Sequence, residues 1–179
     1  MFLSMIRKRR SIRKYQDRSV EPEKINTLIE AALRSPSSRG LNPWEFILVR
    51  DKTMLANLST CKPHGAAFLK GAALGIVIVA DPKTCDVWVE DTSIAATYIQ
   101  LAAEALGLSS CWIQIRKREY GNGRSSGSRV RDLLSIPAHL EVSSIIALGY
   151  PAQNLPGHLE ESLTFPKVHE EVYGNIFKR

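Results

Sequence analysis

The sequence has few cysteines, which excludes two classes of covalently stabilised protein. Only three of its 179 residues are cysteines, and no two of them form a CxxC pair. Disulfide frameworks are built from paired cysteines, and structural zinc sites need closely spaced ones. Cys61, Cys85 and Cys111 are therefore expected to be reduced thiols, as is typical of a cytoplasmic protein.

Long apolar segments are also absent. No apolar run reaches the roughly 20 residues that a transmembrane helix needs. At the start of the chain the basic residues follow the apolar ones, which is the reverse of the order in a secretory signal peptide. We therefore expect no membrane association. A length of 179 residues favours one globular domain that spans residues 1–179.

The glycine and histidine patterns exclude two common kinds of site. Gly121 and Gly123 match the first two glycines of a dinucleotide-binding GxGxxG motif, but Ser126 occupies the third position. His169 begins an HExxH-like pattern, but Tyr173 stands where the second zinc-binding histidine is required. The sequence thus predicts neither a Rossmann dinucleotide site nor a zinc hydrolase site.

Positive charge is concentrated in two patches. Residues 1–18 contain seven basic residues and one acid, and residues 116–131 contain six basic residues and one acid, whereas the rest of the chain has a net charge of −5. Such patches bind either a small anion or nucleic acid. Few aromatic residues accompany them (Tyr15 and Tyr120), and no nucleic-acid-binding motif is present. A basic nucleic-acid-binding protein is therefore the alternative, and no nucleic-acid partner is expected.

The first patch has the composition of a phosphate-binding segment. Six basic residues fall within residues 7–14, around a single hydroxyl residue, Ser11. Guanidinium groups offer forked donors that match phosphate oxygens two at a time, and a serine adds a further donor. The segment therefore predicts a site for one phosphate monoester. A solvated basic N-terminal segment is the alternative interpretation.

Hydrophobic periodicity predicts alternating helices and strands. Strands are predicted at residues 45–49, 74–80, 111–115 and 141–150, and helices at residues 3–9, 22–35, 53–60, 91–106 and 128–134. The continuous apolar run at residues 74–80 is typical of a strand buried on both faces. The helix at residues 91–106 is apolar almost all round, so we expect it to be buried, with Asp91 as its N-cap and Gly107 as its end.

Two polar loops separate these elements. Residues 35–44 form a loop of ten residues, which is long against the usual 4–6 or so and favours a functional loop over a plain connector. His64 lies in a second polar loop, and we expect it to be a surface residue rather than one that faces a substrate.

Five separated segments together resemble one protein family. They are residues 9–15, residues 36–44 with their Pro-Ser-Ser and Asn-Pro-Trp elements, residues 107–116, the Gly-Tyr-Pro of residues 149–151, and residues 167–174. In this order they resemble the FMN-dependent nitroreductase family. The resemblance implies an α+β fold with a mixed β-sheet flanked by helices and a buried central helix. It also implies a homodimer with two FMN sites at its interface.

The resemblance further implies a set of FMN contacts. Arg9, Arg10 and Ser11 match the residues that hold the flavin phosphate, and Lys167 matches a basic residue that approaches it. If residues 11–13 are extended, Arg13 shares a face with Ser11 about 7 Å further along, and in the family this residue lies near the flavin N1/O2 edge, where its charge tunes the flavin. The remaining implied contacts are the ring-binding loop residues Pro36, Ser37, Ser38 and Asn42, largely from the partner subunit, then Ile113 and Gln114, where a backbone N–H reaches flavin N5, and Gly149.

The implied activity is a two-electron transfer from NADH or NADPH through FMN to a nitroaromatic, quinone or similar small-molecule acceptor by a ping-pong mechanism. Hydride chemistry belongs to the cofactor, so no nucleophile–base pair is needed in the sequence. Flavin-consuming and reductively dehalogenating relatives are the alternatives. The resemblance assigns no role to Arg116, Lys117 and Arg118, which begin the second basic patch.

Overall fold

A computed structural model describes residues 2–178 of the chain. The α-helices are α1 (Phe2–Lys8), α2 (Pro22–Leu33), α3 (Lys52–Leu58), α4 (Trp88–Ala105) and α5 (Ser126–Leu134). The strands are β1 (Trp44–Val49), β2 (Leu74–Ala80), β3 (Ser109–Gln114), β4 (Glu119–Gly121), β5 (Arg124–Ser125) and β6 (Glu141–Gly149). Short 3₁₀ turns occur at Ser38–Gly40, Ala67–Gly71, Glu160–Ser162 and Phe165–Lys167. The predicted α+β class is confirmed.

The main sheet has four strands in the order β1-β2-β6-β3, and every neighbouring pair is antiparallel. The prediction of a mixed sheet is therefore wrong for these four strands. β2 and β3 run in the same direction and are joined through α4, but β6 lies between them, so the parallel strands are not neighbours. A single parallel bridge, Ser11 with Ser110, lies at the outer edge of β3.

The sheet separates two apolar layers. All seven residues of β2 are buried, which confirms the prediction that this strand is covered on both faces. One face of the sheet packs against α3 and α5, and its buried side chains include Leu55, Leu58, Val77, Val130, Ile113 and Ile145. The other face packs against α2 and α4, and its buried side chains include Leu28, Ile76, Ile78, Ile99, Leu108 and Ile146.

Helix α4 differs from its predicted form in two respects. It begins at Trp88, so Asp91 lies inside the first turn and is not an N-cap; its carboxylate has other partners, given below. The helix ends before Gly107, whose φ of 72° confirms the predicted stop. Within one chain α4 is not buried all round, because Ile94 and Tyr98 keep 37% and 39% of their surface exposed.

Within residues 2–178, no helix has both the length and the apolar character that a bilayer span requires. The three cysteines are free thiols, and all of them are buried. No grouping of histidine, cysteine and carboxylate side chains in this described part of the chain is arranged to hold a metal ion.

Candidate functional site

The segment that follows α1 runs along the outer edge of the sheet. The Ile12 N–H donates to the Ser110 carbonyl oxygen of β3 at 3.1 Å. Side chains alternate in an extended segment, so Ser11 and Arg13 lie on the side of Cys111, while Ile12 is buried on the other side. The predicted shared face of Ser11 and Arg13 is thus confirmed.

The cationic side chains of this segment converge on the buried thiol of Cys111 in β3. Burial raises the pKa of this thiol, and nearby groups act in the opposite direction, in decreasing order Arg13, the Ser11 side chain, Arg9 and Lys62. The Arg13 guanidinium also lies 5.7 Å from the ring centre of Phe68. The outer edge of β3 therefore carries a group of residues that act on Cys111, namely Arg9, Ser11, Arg13 and Lys62, which we call the β3-edge basic cluster.

Lys62 belongs to this cluster although it precedes β3 by almost fifty residues. Its Nζ donates to the Gln114 carbonyl oxygen at 2.8 Å, at the end of β3. Partial burial lowers the pKa of Lys62, with the nearby Arg118 acting in the same direction. In the sequence Lys62 lies in an irregular loop with no local motif, so no pattern could have identified it.

The charges of the cluster have no counter-charge within residues 2–178. The ion pairs of this part of the chain involve other residues, and none of them includes Arg9, Arg13 or Lys62. Three cations beside one hydroxyl group, without a carboxylate, create a site of positive potential that attracts an anion. The hydrogen-bond donors that phosphate oxygens need are present in the same place.

The Arg10 side chain points away from the β3-edge basic cluster. Its guanidinium donates to the Pro156 carbonyl oxygen. It lines a separate groove of about 470 Å³ with Lys8, Glu104 and Leu108. The structure therefore brings Arg9 and Ser11 together and sends Arg10 to the opposite side, as alternation along an extended segment requires. The phosphate role of Arg10 stays a prediction without geometric support in this chain.

The loop that precedes β1 is held in one conformation by its own side chains. The Ser37 hydroxyl donates to Asn42 Oδ1 at 2.7 Å and accepts from the Asn42 N–H at 3.0 Å. Arg39, Gly40 and Asn42 have φ values of 56°, 65° and 47°, so three residues of the loop take the left-handed conformation. Pro36 and the loop tip are exposed to solvent, while Ser37 and Ser38 are half-buried. The predicted loop contacts are thus available in a preformed turn.

Asp91 connects this loop to α4, a role that the sequence did not reveal. Its carboxylate accepts from the Ser38 N–H at 2.8 Å and from the Cys85 thiol at 3.3 Å. Asp91 is only 2% exposed. A helix-start pattern was the only local signal at this position, whereas its main partner lies 53 residues away in the sequence.

The loop of residues 35–44 and the β3-edge basic cluster lie far apart in one chain. The loop leads into β1, and the cluster lies outside β3, so they flank opposite edges of the four-stranded sheet. Three strand spacings of about 4.8 Å separate these edges by roughly 14 Å. One chain therefore does not bring Ser37, Ser38 and Asn42 to Arg9 and Ser11.

Two further residues of the predicted site, Ile113 and Gln114, lie at the end of β3. The Ile113 side chain is fully buried, so only its backbone is able to meet a ligand. The Gln114 side chain accepts from Trp112 Nε1 at 2.9 Å and donates to the Arg116 carbonyl oxygen at 2.9 Å. Gln114 therefore has a fixed orientation beside Lys62, and both predicted residues lie next to the cluster.

Gly149 has a packing role that differs from the predicted flavin contact. A Cβ atom at Gly149 would lie 3.0 Å from Cδ1 of Tyr15, so glycine is needed for the tyrosine ring to fit. The Tyr15 hydroxyl donates to the carbonyl oxygens of Ile12 at 2.6 Å and Ala147 at 3.2 Å. Burial raises the pKa of Tyr15 well above its usual range. The Tyr15 ring occupies the space beside Gly149 where a side chain would otherwise lie. Gly149 thus allows Tyr15 to hold the basic segment against β6.

Lys167 and His64 are both exposed. Lys167 lies in the short turn Phe165–Lys167, and among the described residues it makes no hydrogen bond or ion pair with Arg9, Ser11 or Arg13. Its predicted approach to the phosphate stays a prediction. The expectation that His64 is a surface residue is confirmed.

Known proteins resemble the chain in both sequence and fold. The model of the nitroreductase family matches residues 6–61 and 54–150. A protein of Archaeoglobus fulgidus, provisionally named an NADH dehydrogenase/NAD(P)H nitroreductase, is 41% identical over 153 residues, which are 83% of this chain and 84% of the relative.

Solved structures give the same result. An FMN-dependent nitroreductase from Clostridium difficile R20291 superposes with a TM-score of 0.94 at 47% identity, covering 96% of this chain and 99% of the other. The NADPH:FMN oxidoreductase of Vibrio harveyi, solved with NAD⁺, has a TM-score of 0.81 at 26% identity and covers 98% of this chain and 79% of the other. The five sequence segments, the family model and the solved structures agree, and the chain is a member of the nitroreductase family.

Proposed function

We propose that this protein is an FMN-dependent oxidoreductase that takes two electrons from NADH or NADPH and passes them to a nitroaromatic, quinone or similar acceptor. The observation that carries this function is the β3-edge basic cluster, because Arg9, Arg13 and Lys62 lie with Ser11 around Cys111 and form no ion pair with a carboxylate among the described residues. The similarity to an FMN-dependent nitroreductase at 47% identity supports FMN as the anion.

The residues present fit FMN along its length. Arg9 and Ser11 offer phosphate donors, and Arg13 continues the same face of the extended segment towards Phe68. Lys62 and the backbone of Gln114 lie at the end of β3, where the ring system would be held. FMN, when bound, supplies the hydride and electron-transfer chemistry. The chain binds and orients it, and a cation such as Lys62 or Arg13 near the ring favours negative charge there.

We further infer that the active form is a homodimer. The loop with Ser37, Ser38 and Asn42 lies at the sheet edge opposite the cluster, so a second subunit is the natural source of these contacts. On α4, Ile94 and Tyr98 are exposed. A neighbouring groove of about 370 Å³ is lined mainly by apolar residues of α1, α2 and α4. Exposed apolar surface of this kind marks a protein contact.

The three unpaired, buried thiols support a cytoplasmic location.

The purified protein tests this function directly. We expect a visible flavin absorption band and one non-covalently bound FMN per subunit. We also expect oxidation of NADH or NADPH with parallel double-reciprocal lines when the acceptor concentration is varied. A protein that remains colourless after incubation with FMN would refute the proposed function. Intersecting double-reciprocal lines would refute a ping-pong mechanism.

A further inference from the structure

The second basic patch has four cations without a counter-charge. Among its six basic residues, Arg124 pairs with Asp132, and Arg131 pairs with Glu141 at 3.2 Å. The other four form no ion pair within residues 2–178; they are Arg116, Lys117, Arg118 and Arg129. The patch is thus a second region of positive potential, separate in sequence from the N-terminal one.

The first three of these cations lie on a rigid turn directly after β3. Lys117 has a φ of 57°, and the Arg118 N–H donates to the Ile115 carbonyl oxygen at 3.1 Å, which closes the turn. The Gln114 side chain holds the Arg116 carbonyl oxygen at 2.9 Å. The Ser126 N–H donates to the Arg118 carbonyl oxygen at 2.8 Å. The turn therefore presents its cations from a fixed backbone, and long side chains on a fixed backbone lose less entropy on binding.

The turn adjoins the ring end of the proposed FMN site. Gln114 contacts both the FMN site and the turn. Its backbone carbonyl oxygen accepts from Lys62, and its side-chain amide donates to the Arg116 carbonyl oxygen. Arg118 lies close enough to Lys62 to reinforce the lowering of the Lys62 pKa, which is caused mainly by partial burial. Positive charge therefore continues from the β3-edge basic cluster into the turn at residues 116–118.

Arg129 adds a second sign of an anion site. Its guanidinium lies 5.4 Å from the ring centre of Tyr120, which fixes its position. Its Nε is buried without a hydrogen-bond partner among the described residues. Buried donors are normally satisfied, so the unpaired Nε–H of Arg129 leaves a donor for a bound group, and the surrounding positive charge favours an anion.

We propose that Lys117 and Arg118, supported by Arg116 and Arg129, bind the phosphate groups of the nicotinamide dinucleotide donor. This inference rests on the proposed function, because the donor must place its nicotinamide ring beside the ring end of the FMN site. The diphosphate then needs cations beyond that end. In the proposed function the β3-edge basic cluster is engaged with FMN, and the sequence has no dinucleotide-binding glycine motif. The turn at residues 116–118 is the adjacent source of uncompensated positive charge.

Donors with and without phosphates test this site. In the double variant Lys117→Gln/Arg118→Gln we expect kcat/KM to fall about tenfold or more for NADH and NADPH, mostly through KM. Activity with 1-benzyl-1,4-dihydronicotinamide, a hydride donor without phosphates, should stay unchanged, and so should the FMN affinity. The matched control is Arg34→Gln/Arg124→Gln, which removes two cations already paired with Glu30 and Asp132. This control variant should keep the parent kcat/KM with NADH, NADPH and 1-benzyl-1,4-dihydronicotinamide.

A binding measurement separates this proposal from the proposed function. ADP-ribose carries the diphosphate but no nicotinamide, and calorimetric titration into the FMN-loaded enzyme should show weaker binding by the double variant than by the control. Equal losses with the phosphate-free donor, or unchanged KM and ADP-ribose affinity, would overturn the phosphate site. A parent protein that oxidises no dihydronicotinamide would instead refute the oxidoreductase function, and the ADP-ribose titration would still decide the site.

Discussion

Lys62 Nζ lies 2.8 Å from the carbonyl oxygen of Gln114, which joins a loop cation to the last residue of β3. A charged donor on a strand-end carbonyl has two effects. It fixes the backbone of β3 where the flavin ring is proposed to lie, and it adds positive charge there. Lys62 is half-buried, so its interaction is less screened than that of a surface lysine.

We expect Lys62→Met to weaken the binding of FMN and of riboflavin alike, by about tenfold, because the residue serves the ring end of the site. Dissociation constants from flavin fluorescence would measure both. Lys52→Met is the matched control, since Lys52 pairs with Asp17 at 2.5 Å on the surface. An effect on FMN alone would place Lys62 at the phosphate end.

Arg9→Ala should discriminate between the two ligands. Loss of one charge-assisted hydrogen bond costs roughly 1.5–3 kcal/mol, so FMN binding should weaken by about 10- to 150-fold. Riboflavin has no phosphate and should bind the variant and the parent with nearly the same affinity. Equal losses for both ligands would remove Arg9 from the phosphate site.

Asp91 should stabilise the loop that precedes β1. In Asp91→Ala the Ser38 N–H and the Cys85 thiol lose their acceptor, so we expect the free energy of unfolding to fall by about 1–3 kcal/mol and FMN to bind less tightly. Asp91→Asn keeps an oxygen acceptor and should retain most of the stability and most of the FMN affinity. Urea unfolding and flavin titration would measure the effects, and identical behaviour of the two variants would contradict this role.

Gly149→Ala should destabilise the protein through Tyr15. The added Cβ would lie 3.0 Å from Cδ1 and 3.2 Å from Cβ of Tyr15, so the ring must shift and its hydroxyl contacts weaken. We expect a loss of about 1–3 kcal/mol in the free energy of unfolding. Gly71→Ala is the control, because no atom lies within 4 Å of its added Cβ. Similar stabilities of the two variants would contradict the tight fit.

Tyr98→Glu should break the proposed homodimer. A carboxylate on the exposed apolar face of α4 would be buried without a partner at the subunit contact, which is strongly unfavourable. We expect monomers in sedimentation velocity experiments, together with loss of FMN. Thr53→Glu places the same charge on α3 and should leave the dimer intact. A flavin-loaded monomer of either the parent or Tyr98→Glu would rule out the shared site.

Local patterns predicted most of the fold. The apolar run at residues 74–80 is β2 without a change of bounds, and residues 45–49 differ from β1 only by the addition of Trp44. Alternation along an extended segment also placed Ser11 and Arg13 on one face. The same alternation would have directed Arg10 to the opposite side, but the resemblance to a family grouped it with Arg9 and Ser11.

The missed features depend on contacts between residues distant in sequence. Asp91 resembles a helix cap in its local sequence, and only the folded chain brings it to Ser38. Lys62 carries no motif, and its partner Gln114 is 52 residues away. The family resemblance implied a mixed sheet, and no local pattern shows that β6 inserts between β2 and β3. Periodicity reports the local path of the chain, whereas these features depend on strand order.

With FMN bound at the proposed site, the uncompensated cations around Cys111 would make the stability of the protein depend on its cofactor supply. Tyr15 and β3 hold Arg9 and Arg13 together whether or not an anion is bound, so like charges repel one another in the flavin-free chain. An anion that binds only the folded state relieves this repulsion and raises the free energy of unfolding by mass action. Newly made chains that have not met FMN are therefore the more easily unfolded and degraded population. Cellular flavin levels would then set the abundance of the protein as well as its activity.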